Sequence, residues 1–321
     1  MKKLIIQIPC FNEEATLGLT LSQLPRRVDG FDCVEWLIID DGCEDGTVDV
    51  ARQNGVDRVV RLPHNQGLAR AFMAGIEASL KAGADVIVNI DADNQHDAGA
   101  IPRLVAPILD LQAQIVIGAR PIAEIREFSV AKRLLQRIGS RVVEIASGCR
   151  VSDAPSGFRA MHKEAALRMC VFNQYTYTLE TIIQAGRNNI PIASVSVGAK
   201  PATRPSRLIK STLSYVRRSV FTIVRIFVLY KPLRFFLAAG TVFLVPGMLL
   251  GIRYLAIYLA GGGPGHLQSL LLSATLILTG IVIYAAGVIS DIVAANRVLL
   301  EEIRMRLLRA EVERVNLERM S

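Results

Sequence analysis

Along the first two hundred positions, apolar and polar blocks alternate in a way that predicts strands and helices in turn. The apolar blocks are short and rich in Val and Ile, as in strands buried on both faces of a parallel sheet. They lie at residues 3–9, 34–39, 59–62, 86–90, 115–117 and 190–197. Helical segments lie between them at residues 14–24, 48–54, 68–82 and 101–111. This β-α-β-α order predicts an α/β fold with a mostly parallel, doubly wound sheet and right-handed crossovers.

Polar side chains follow the predicted strands at the positions where the strands end. Asp91 and Asp93 follow the strand at residues 86–90, and Gln95 comes two positions later. Alternate residues of an extended chain share one face, so these oxygens can converge on one hard cation. An isolated D-x-D is more often a plain polar turn. Here Pro9, Asp40 and Arg120 end other strands, and ligands of open α/β sheets bind outside that edge.

The sequence contains neither of the glycine-rich phosphate-binding patterns. No G-x-G-x-x-G and no G-x-x-x-x-G-K-[ST] occurs, so neither a dinucleotide site nor a P-loop is indicated. A diphosphate bound at this strand edge would therefore need a metal ion in place of a cradle of backbone amides.

The pattern changes after residue 205, where long apolar stretches replace the short blocks. Residues 207–230 predict an amphipathic helix with a basic stripe, typical of a segment lying in a membrane interface. Residues 235–252 and 270–290 are apolar runs, each able to cross about 30 Å of hydrocarbon as a helix. Gly251, Gly280 and Gly287 within these runs predict close contact between the two helices.

Charge distribution orients the predicted spans. The basic residues up to Arg234 and those from Arg297 onward lie on one side, and the glycine-rich loop at residues 261–266 carries no Lys or Arg. The positive-inside rule predicts that the α/β domain and both termini lie in the cytoplasm, in a multi-pass protein of the inner membrane. The tail balances acidic and basic residues with apolar spacing, and we hypothesise that it supports self-association into a homo-oligomer.

The predicted organisation thus has four parts. They are an α/β domain (1–205), an amphipathic juxtamembrane helix (206–231), two transmembrane helices (232–291) and a cytoplasmic amphipathic tail helix (292–321). The net charge of +8 does not indicate nucleic-acid binding, because residues 181–290 contain no Asp or Glu and the excess belongs to the membrane-proximal half. The five cysteines show no paired spacing and predict reduced thiols.

Five motifs in register carry a resemblance to a known family. They are Pro9-x-Phe11-Asn12-Glu13, Asp40-Asp41-Gly42, Asn65-x-Gly67, Asp91-x-Asp93-x-Gln95 and Ser156-Gly157-Phe158-Arg159. The chain resembles family 2 glycosyltransferases, in the branch of dolichyl-phosphate mannose synthase and bacterial polyprenyl-phosphate sugar synthases. The resemblance implies a GT-A catalytic domain that moves a sugar from a UDP- or GDP-linked donor to a polyprenyl phosphate lipid, with Mg²⁺ or Mn²⁺.

The resemblance also implies roles for individual residues. The nucleotide sugar would contact Pro9, Phe11, Asn12, Glu13, Asp40, Asp41, Gly67, Arg70 and Asp91. The metal ligands would be Asp91, Asp93 and Gln95. The acceptor phosphate would be received by Arg120, Arg137 and Ser140, and catalysis would depend most on Asp93, Arg120 and Arg137. Apart from the resemblance, Arg204 and Arg207 at the junction with the membrane half are candidates to assist this capture, and binding of anionic lipids explains them equally well. Cys43 stands where the family usually has Ser, and Ala119 where a polar residue is common.

These assignments predict direct transfer with inversion at the anomeric carbon. Three alternatives stay open. A processive polysaccharide synthase would need more spans and a Q-x-x-R-W segment, and the only tryptophan here is Trp36. A glycosyltransferase acting on diacylglycerol or protein would differ only in its acceptor. An inactive membrane scaffold that binds a nucleotide sugar would have no reason to keep the complete Asp91, Asp93 and Gln95 set.

Overall fold

The computed structural model describes most of the catalytic part and both long apolar helices. The described residues are 1–120, 143–145, 147–149, 151–171, 177–198, 221, 224–225, 228–261 and 263–320. They divide into two compact units, one formed by Met1–Tyr215 with Glu301–Ser321 and the other by Val216–Leu300. The juxtamembrane helix predicted at residues 206–231 lies mostly outside the described residues.

The first unit alternates strands and helices along the chain. Its strands are β1 (Lys3–Cys10), β2 (Cys33–Asp40), β3 (Arg58–Arg61), β4 (Val86–Asn89), β5 (Ile115–Ala119), β6 (Arg159–His162) and β7 (Ile192–Ser196). Its helices are α1 (Glu14–Gln23), α2 (Thr47–Gln53), α3 (Leu68–Lys81), α4 (Ile101–Leu109), α5 (Lys163–Arg168) and α6 (Thr178–Arg187). The six predicted strands and the four predicted helices are confirmed, with boundaries shifted by one or two residues.

Within the described residues the strands form one seven-stranded sheet in the order β3-β2-β1-β4-β6-β5-β7. All neighbouring pairs are parallel except those of β6, which runs antiparallel to both β4 and β5. The predicted mostly parallel sheet is therefore confirmed. The sequence analysis missed β6, because a four-residue strand that contains Arg159 and His162 lacks the apolar pattern of the others.

The core explains why the central strands are apolar on both faces. Leu4, Ile5 and Ile6 of β1 are all fully buried, and neighbouring residues therefore pack in opposite directions. β1 lies between β2 and β4, with helices on both faces, which is the environment of strands in doubly wound sheets.

The end of the tail helix packs on the catalytic part of the same chain. Arg304 donates to the carbonyl of Met169 at 2.8 Å, Lys81 pairs with Glu311 at 2.8 Å, and Arg309 pairs with Glu164. Leu308, on the same helix face as Arg304 and Glu311, is only 6% exposed. These contacts are within one chain, so self-association through the tail stays a prediction.

We expect Leu308→Ala to lower the free energy of unfolding of the catalytic unit by about 2 kcal/mol, because it removes a buried leucine side chain. The neighbouring Leu307 is 68% exposed and faces away, so Leu307→Ala serves as the matched control with little effect. Thermal unfolding of the two variants checks the prediction. Equal stability would mean that the tail contacts contribute nothing to the catalytic unit.

The second unit contains one long helix and the part of another up to Leu300, in close contact. They are α7 (Pro232–Leu259) and α8 (Leu267–Met320), joined through a short 3₁₀ turn at Gly263–His266, and both are long and apolar enough to cross a membrane. A Cβ on Gly280 would lie 3.0 Å from Leu244 Cβ, and one on Gly287 would lie 2.7 Å from Phe236 Cβ. The predicted close approach at the glycines is confirmed.

Candidate active site

The functional residues gather at one edge of the sheet because of strand direction. β1, β2, β4 and β5 all end at this edge, and the loops that follow them carry the predicted site residues. The antiparallel β6 begins there instead, so the segment that leads into it, residues 153–158, reaches the same place. The sequence analysis predicted no functional role for any residue of this segment.

The Asp91 and Asp93 carboxylates lie close enough to repel each other. The pKa of Asp93 is raised, first by burial and then by the negative charge of Asp91, while the Gln95 N–H, at 3.2 Å from Asp93 Oδ1, lowers it. The charge of Glu13, from the loop after β1, also raises this pKa. Placing negative charges together at a partly buried position costs free energy, and a bound cation would offset that cost.

The donor set of this edge fits Mg²⁺ or Mn²⁺. The described residues contain no group of three or more His, Cys, Asp or Glu side chains arranged to hold a metal. Mg²⁺ is commonly bound through one or two carboxylates together with substrate phosphates and water. Asp91, Asp93 and the Gln95 amide are therefore enough for a cation that also binds a diphosphate.

Asp40 and Asp41 use their carboxylates to hold the neighbouring loops. Asp41 accepts hydrogen bonds from the N–H groups of Gln66 at 2.7 Å and Gly67 at 2.9 Å, and these pull its pKa down while burial raises it overall. Asp40 accepts from the Cys43 N–H at 2.7 Å. Both aspartates are buried and shape the turn after β2 and the start of α3. Their contact with a nucleotide stays a prediction.

The loop after β1 presents polar and aromatic groups beside these carboxylates. Phe11 is 38% exposed, and Asn12 accepts a hydrogen bond from the Glu44 N–H at 2.9 Å. The Asn12 N–H points to the Cys43 sulfur at 3.3 Å, so this cysteine accepts the contact that a serine hydroxyl could also accept. Glu13 lies at the start of α1, and its N–H donates to Thr47 Oγ1 at 2.9 Å. The β1 and β2 loops are thus linked.

The remaining predicted nucleotide residues surround this loop pair. Pro9 lies in β1 opposite Ile39 of β2, and Arg70 is exposed in the first turn of α3. Gly67 precedes α3 with a φ of 91°, a left-handed conformation that suits glycine.

Arg120, which follows β5, is held by a buried aspartate. Its Nε and Nη2 donate to Asp153 at 2.8 and 3.2 Å, and its backbone N–H donates to the same carboxylate at 3.2 Å. The Asp153 side chain is fully buried, whereas that of Arg120 is 31% exposed. Asp153 accounts for most of the raised pKa of Arg120, and the charges of Asp91 and Asp93 also contribute. Arg120 therefore lies in the field of the carboxylate pair.

The other predicted acceptor residues cannot be compared with this geometry. Arg137, Ser140, Arg204 and Arg207 lie outside the described residues.

Comparison with known proteins identifies the family. The model of the family "Glycosyl transferase family 2" matches residues 5–169, which is more than half of the chain. The chain belongs to this family. The match covers the site loops after β1, β2, β4 and β5 and the segment that leads into β6.

Two relatives of this glycosyltransferase have a lipid phosphate in their names. It is 32% identical over 159 residues to the undecaprenyl-phosphate mannosyltransferase of Micrococcus luteus, covering 48% of this chain and 63% of the relative. It is 26% identical over 219 residues to the UDP-N-acetylglucosamine–dolichyl-phosphate N-acetylglucosaminyltransferase of Methanococcus voltae, covering 61% of this chain and 85% of the relative.

A solved structure shares the fold. Glucosyl-3-phosphoglycerate synthase from Mycobacterium tuberculosis, crystallised with Mn²⁺, UDP and glucosyl-3-phosphoglycerate, matches with a TM-score of 0.53 at 24% identity. The match covers 69% of this chain and 80% of the synthase. The predicted GT-A-like fold is confirmed.

A buried polar network lies directly beneath the site of the transferase. Gln7 donates to Asn89 Oδ1, and Asn89 donates to both the Gly157 carbonyl and the Tyr177 hydroxyl, each at 2.9 Å. Tyr177 stacks on Phe72 with ring centroids 3.9 Å apart and is fully buried, which raises the pKa of its hydroxyl. Tyr177 therefore packs in the core.

Three residues near the carboxylates were missed by the sequence analysis. His96 Nε2 lies 3.4 Å from Asp91 Oδ2, Asp153 binds Arg120, and Gly157 packs against Asp91. His96 and Asp153 stood beside recognised motifs, but no spacing rule connects them with their partners. The Ser156-Gly157-Phe158-Arg159 motif was the one signal that pointed to this region.

Proposed function

We propose that this glycosyltransferase transfers a sugar from a UDP- or GDP-linked donor to polyprenyl phosphate, with Mg²⁺ or Mn²⁺ bound by Asp91, Asp93 and Gln95. One observation carries the proposal: Arg120, held by Asp153 after β5, lies at the same sheet edge as Asp91 and Asp93 after β4. A site that combines a cation position with a partly exposed arginine can hold two phosphate groups facing each other.

The chemistry needs little more than these charges. A phosphate monoester has a second pKa near 6, so the acceptor is largely dianionic at neutral pH and is a nucleophile without a general base. The bound cation would offset the charge that develops on the leaving diphosphate. Arg120 would donate to the acceptor phosphate and hold it in line with the anomeric carbon. Direct displacement then gives inversion.

The donor nucleotide would occupy the linked loops after β1 and β2. Phe11 offers a partly exposed aromatic side chain, and the charge of Glu13 acts on Asp93. In this proposal Asp40, Asp41 and Gly67 shape the pocket, and Pro9 and Arg70 border it. A solved structure with the same fold was crystallised with UDP and Mn²⁺, and this agrees with a nucleoside diphosphate and a divalent cation as the ligands proposed here.

The lipid acceptor is supported by two independent features. The described chain has two helices long and apolar enough to span a membrane, and named relatives carry polyprenyl or dolichyl phosphate in their names. The catalytic domain and both termini would lie on the cytoplasmic side of the inner membrane. The basic residues Arg137, Arg204 and Arg207, together with Ser140, would assist capture of the lipid phosphate.

The test is to incubate the purified full-length protein with polyprenyl phosphate and a panel of UDP- and GDP-sugars. We expect one lipid product whose mass equals polyprenyl phosphate plus one sugar residue, and NMR should give an inverted anomeric configuration. Retained configuration would contradict the mechanism. Glycosylation of diacylglycerol or protein, but not of polyprenyl phosphate, would show a different acceptor, and nucleotide-sugar binding without turnover would indicate a scaffold.

Chelation tests the cation separately. We expect EDTA to lower turnover by roughly 100-fold or more, because the charge on the leaving diphosphate would lose its counterion, and Mg²⁺ or Mn²⁺ to restore it. The melting temperature should fall by a few degrees, because the bound cation would offset the repulsion between Asp91 and Asp93, but the protein should stay folded. Full turnover after chelation would contradict the metal assignment.

A further inference from the structure

We propose that segment 153–158 is the positioning element of this active site. It fixes Arg120 through Asp153 and fixes Asp91 through Gly157 and the contact of Phe158 with His96. The inference rests on the proposed function for what Arg120 and Asp91 bind, but the contacts themselves do not depend on it.

Hydrogen bonds tie the segment to the end of β5. Ser156 Oγ donates to the Gly118 carbonyl at 2.7 Å, and the Gly118 N–H donates to the Phe158 carbonyl at 2.9 Å. The Ser156 N–H donates to the Asp153 carbonyl at 3.1 Å, which closes a turn. The segment is therefore part of the sheet edge and not a loose loop.

The first end of the segment orients Arg120. A fully buried carboxylate needs a counterion, and for Asp153 this is the guanidinium of Arg120, which donates through two of its nitrogens. The planar two-point contact fixes the rotation of the guanidinium as well as its position. The exposed part of Arg120 is thereby presented at the edge in one orientation.

The middle of the segment supports Asp91. A Cβ on Gly157 would lie 2.8 and 3.0 Å from the two carboxylate oxygens of Asp91 and 2.9 Å from the Tyr177 hydroxyl. All three distances are shorter than normal contacts, so only glycine lets Asp91 lie against the backbone here. The Gly157 carbonyl accepts from Asn89 Nδ2 at 2.9 Å, which keeps the peptide in place.

The last residue of the segment, Phe158, supports Asp91 indirectly, by packing against His96. Phe158 is fully buried, and its ring centroid lies 5.2 Å from that of His96. His96 is 5% exposed, and its Nδ1 is buried without a hydrogen-bond partner among the described residues. Its Nε2 lies 3.4 Å from Asp91 Oδ2. Among the described residues, the His96 ring nitrogen that has a polar neighbour is therefore Nε2, which faces Asp91.

The Asp91 half of the proposal is tested by Mn²⁺ binding without turnover. Full-length protein in detergent is titrated with Mn²⁺ alone, and free Mn²⁺ is measured by electron paramagnetic resonance. We expect Gly157→Ala and His96→Phe each to weaken Mn²⁺ binding on the order of tenfold, as for other groups that orient metal ligands. His96→Phe keeps a ring against Phe158, whereas His96→Gln restores an amide donor and should recover most of the affinity.

Gly265→Ala is the matched control, because an added Cβ at Gly265 meets nothing within 4 Å. It should bind Mn²⁺ like the wild type. Wild-type affinity in both Gly157→Ala and His96→Phe would overturn the Asp91 half, and so would a wild-type protein that binds no Mn²⁺.

The Arg120 half is tested by steady-state kinetics of Asp153→Asn. We expect the KM for polyprenyl phosphate to rise on the order of tenfold, because the guanidinium loses its fixed orientation. The KM for the nucleotide sugar and the Mn²⁺ affinity should stay within about twofold, which a general loss of structure would not allow. An unchanged acceptor KM would overturn this half.

The inference and the proposed function fail in different ways. A wild-type protein that does not glycosylate polyprenyl phosphate contradicts the proposed acceptor, and the Mn²⁺ titrations then decide the inference. A wild-type protein that makes the lipid product, with variants that bind Mn²⁺ and acceptor normally, contradicts only the inference.

Discussion

Asp93→Asn should lower kcat about a thousandfold without destabilising the protein. Loss of the cation position removes stabilisation of the leaving diphosphate, and ~4 kcal/mol of such stabilisation corresponds to three powers of ten in rate. The fold should tolerate the change, because the pKa of Asp93 is raised by burial and by Asp91. A carboxyl whose pKa is raised on folding destabilises the native state when it is ionised at neutral pH.

The expected result is therefore a split between activity and stability. Thermal unfolding in EDTA should give Asp93→Asn a melting temperature equal to or above that of the wild type, while the transfer assay shows almost no product. Asp110 is exposed at the end of α4, so Asp110→Asn serves as the control. Its melting temperature and its turnover should both match those of the wild type. Near-normal turnover in Asp93→Asn would remove Asp93 from the metal site.

Arg120→Gln should impair both acceptor use and folding stability. It removes the group proposed to hold the lipid phosphate, and it leaves the fully buried carboxylate of Asp153 without its counterion. Breaking a buried ion pair from one side costs about 3 kcal/mol. We expect a fall of that size in the free energy of unfolding, measured by denaturant titration, and a fall in kcat/KM for polyprenyl phosphate of roughly 100-fold or more.

A double variant separates these two effects. Arg120→Gln combined with Asp153→Asn removes the unpaired buried charge, so most of the lost stability should return. Turnover should not return, because the cation that binds the phosphate is still missing. Recovery of turnover together with stability would show that Arg120 has only a structural role.

Much of the fold could be predicted from the sequence because the relevant signals are local. The Val- and Ile-rich blocks marked the strands, and the polar residues that follow them marked the functional edge. The spacing of Asp91, Asp93 and Gln95 suggested a cation because alternate side chains of extended chain share a face. The two apolar runs were recognisable by length alone, and the glycines within them indicated helix contact.

Local signals were insufficient where a strand lacked the expected pattern. β6 contains a buried arginine, whose guanidinium lies over the Tyr177 ring with 5.3 Å from Cζ to the centroid and donates to backbone and Thr181 oxygens. No hydrophobicity pattern predicts a strand around such a residue. The antiparallel direction of β6 was missed with it, and so was the arrival of segment 153–158 at the site.

The sequence by itself indicated the order of elements apart from β6 and the helices that follow it, the functional edge, the candidate cation ligands and the two apolar helices, because each depends on neighbours within a few residues. The tertiary structure decided which side chains hold those ligands in place. Arg120 and Asp153 are 33 positions apart, and Asn89 and the Gly157 carbonyl are 68 apart. Only folding of the sheet, with β6 inserted antiparallel between β4 and β5, brings such partners within hydrogen-bonding distance.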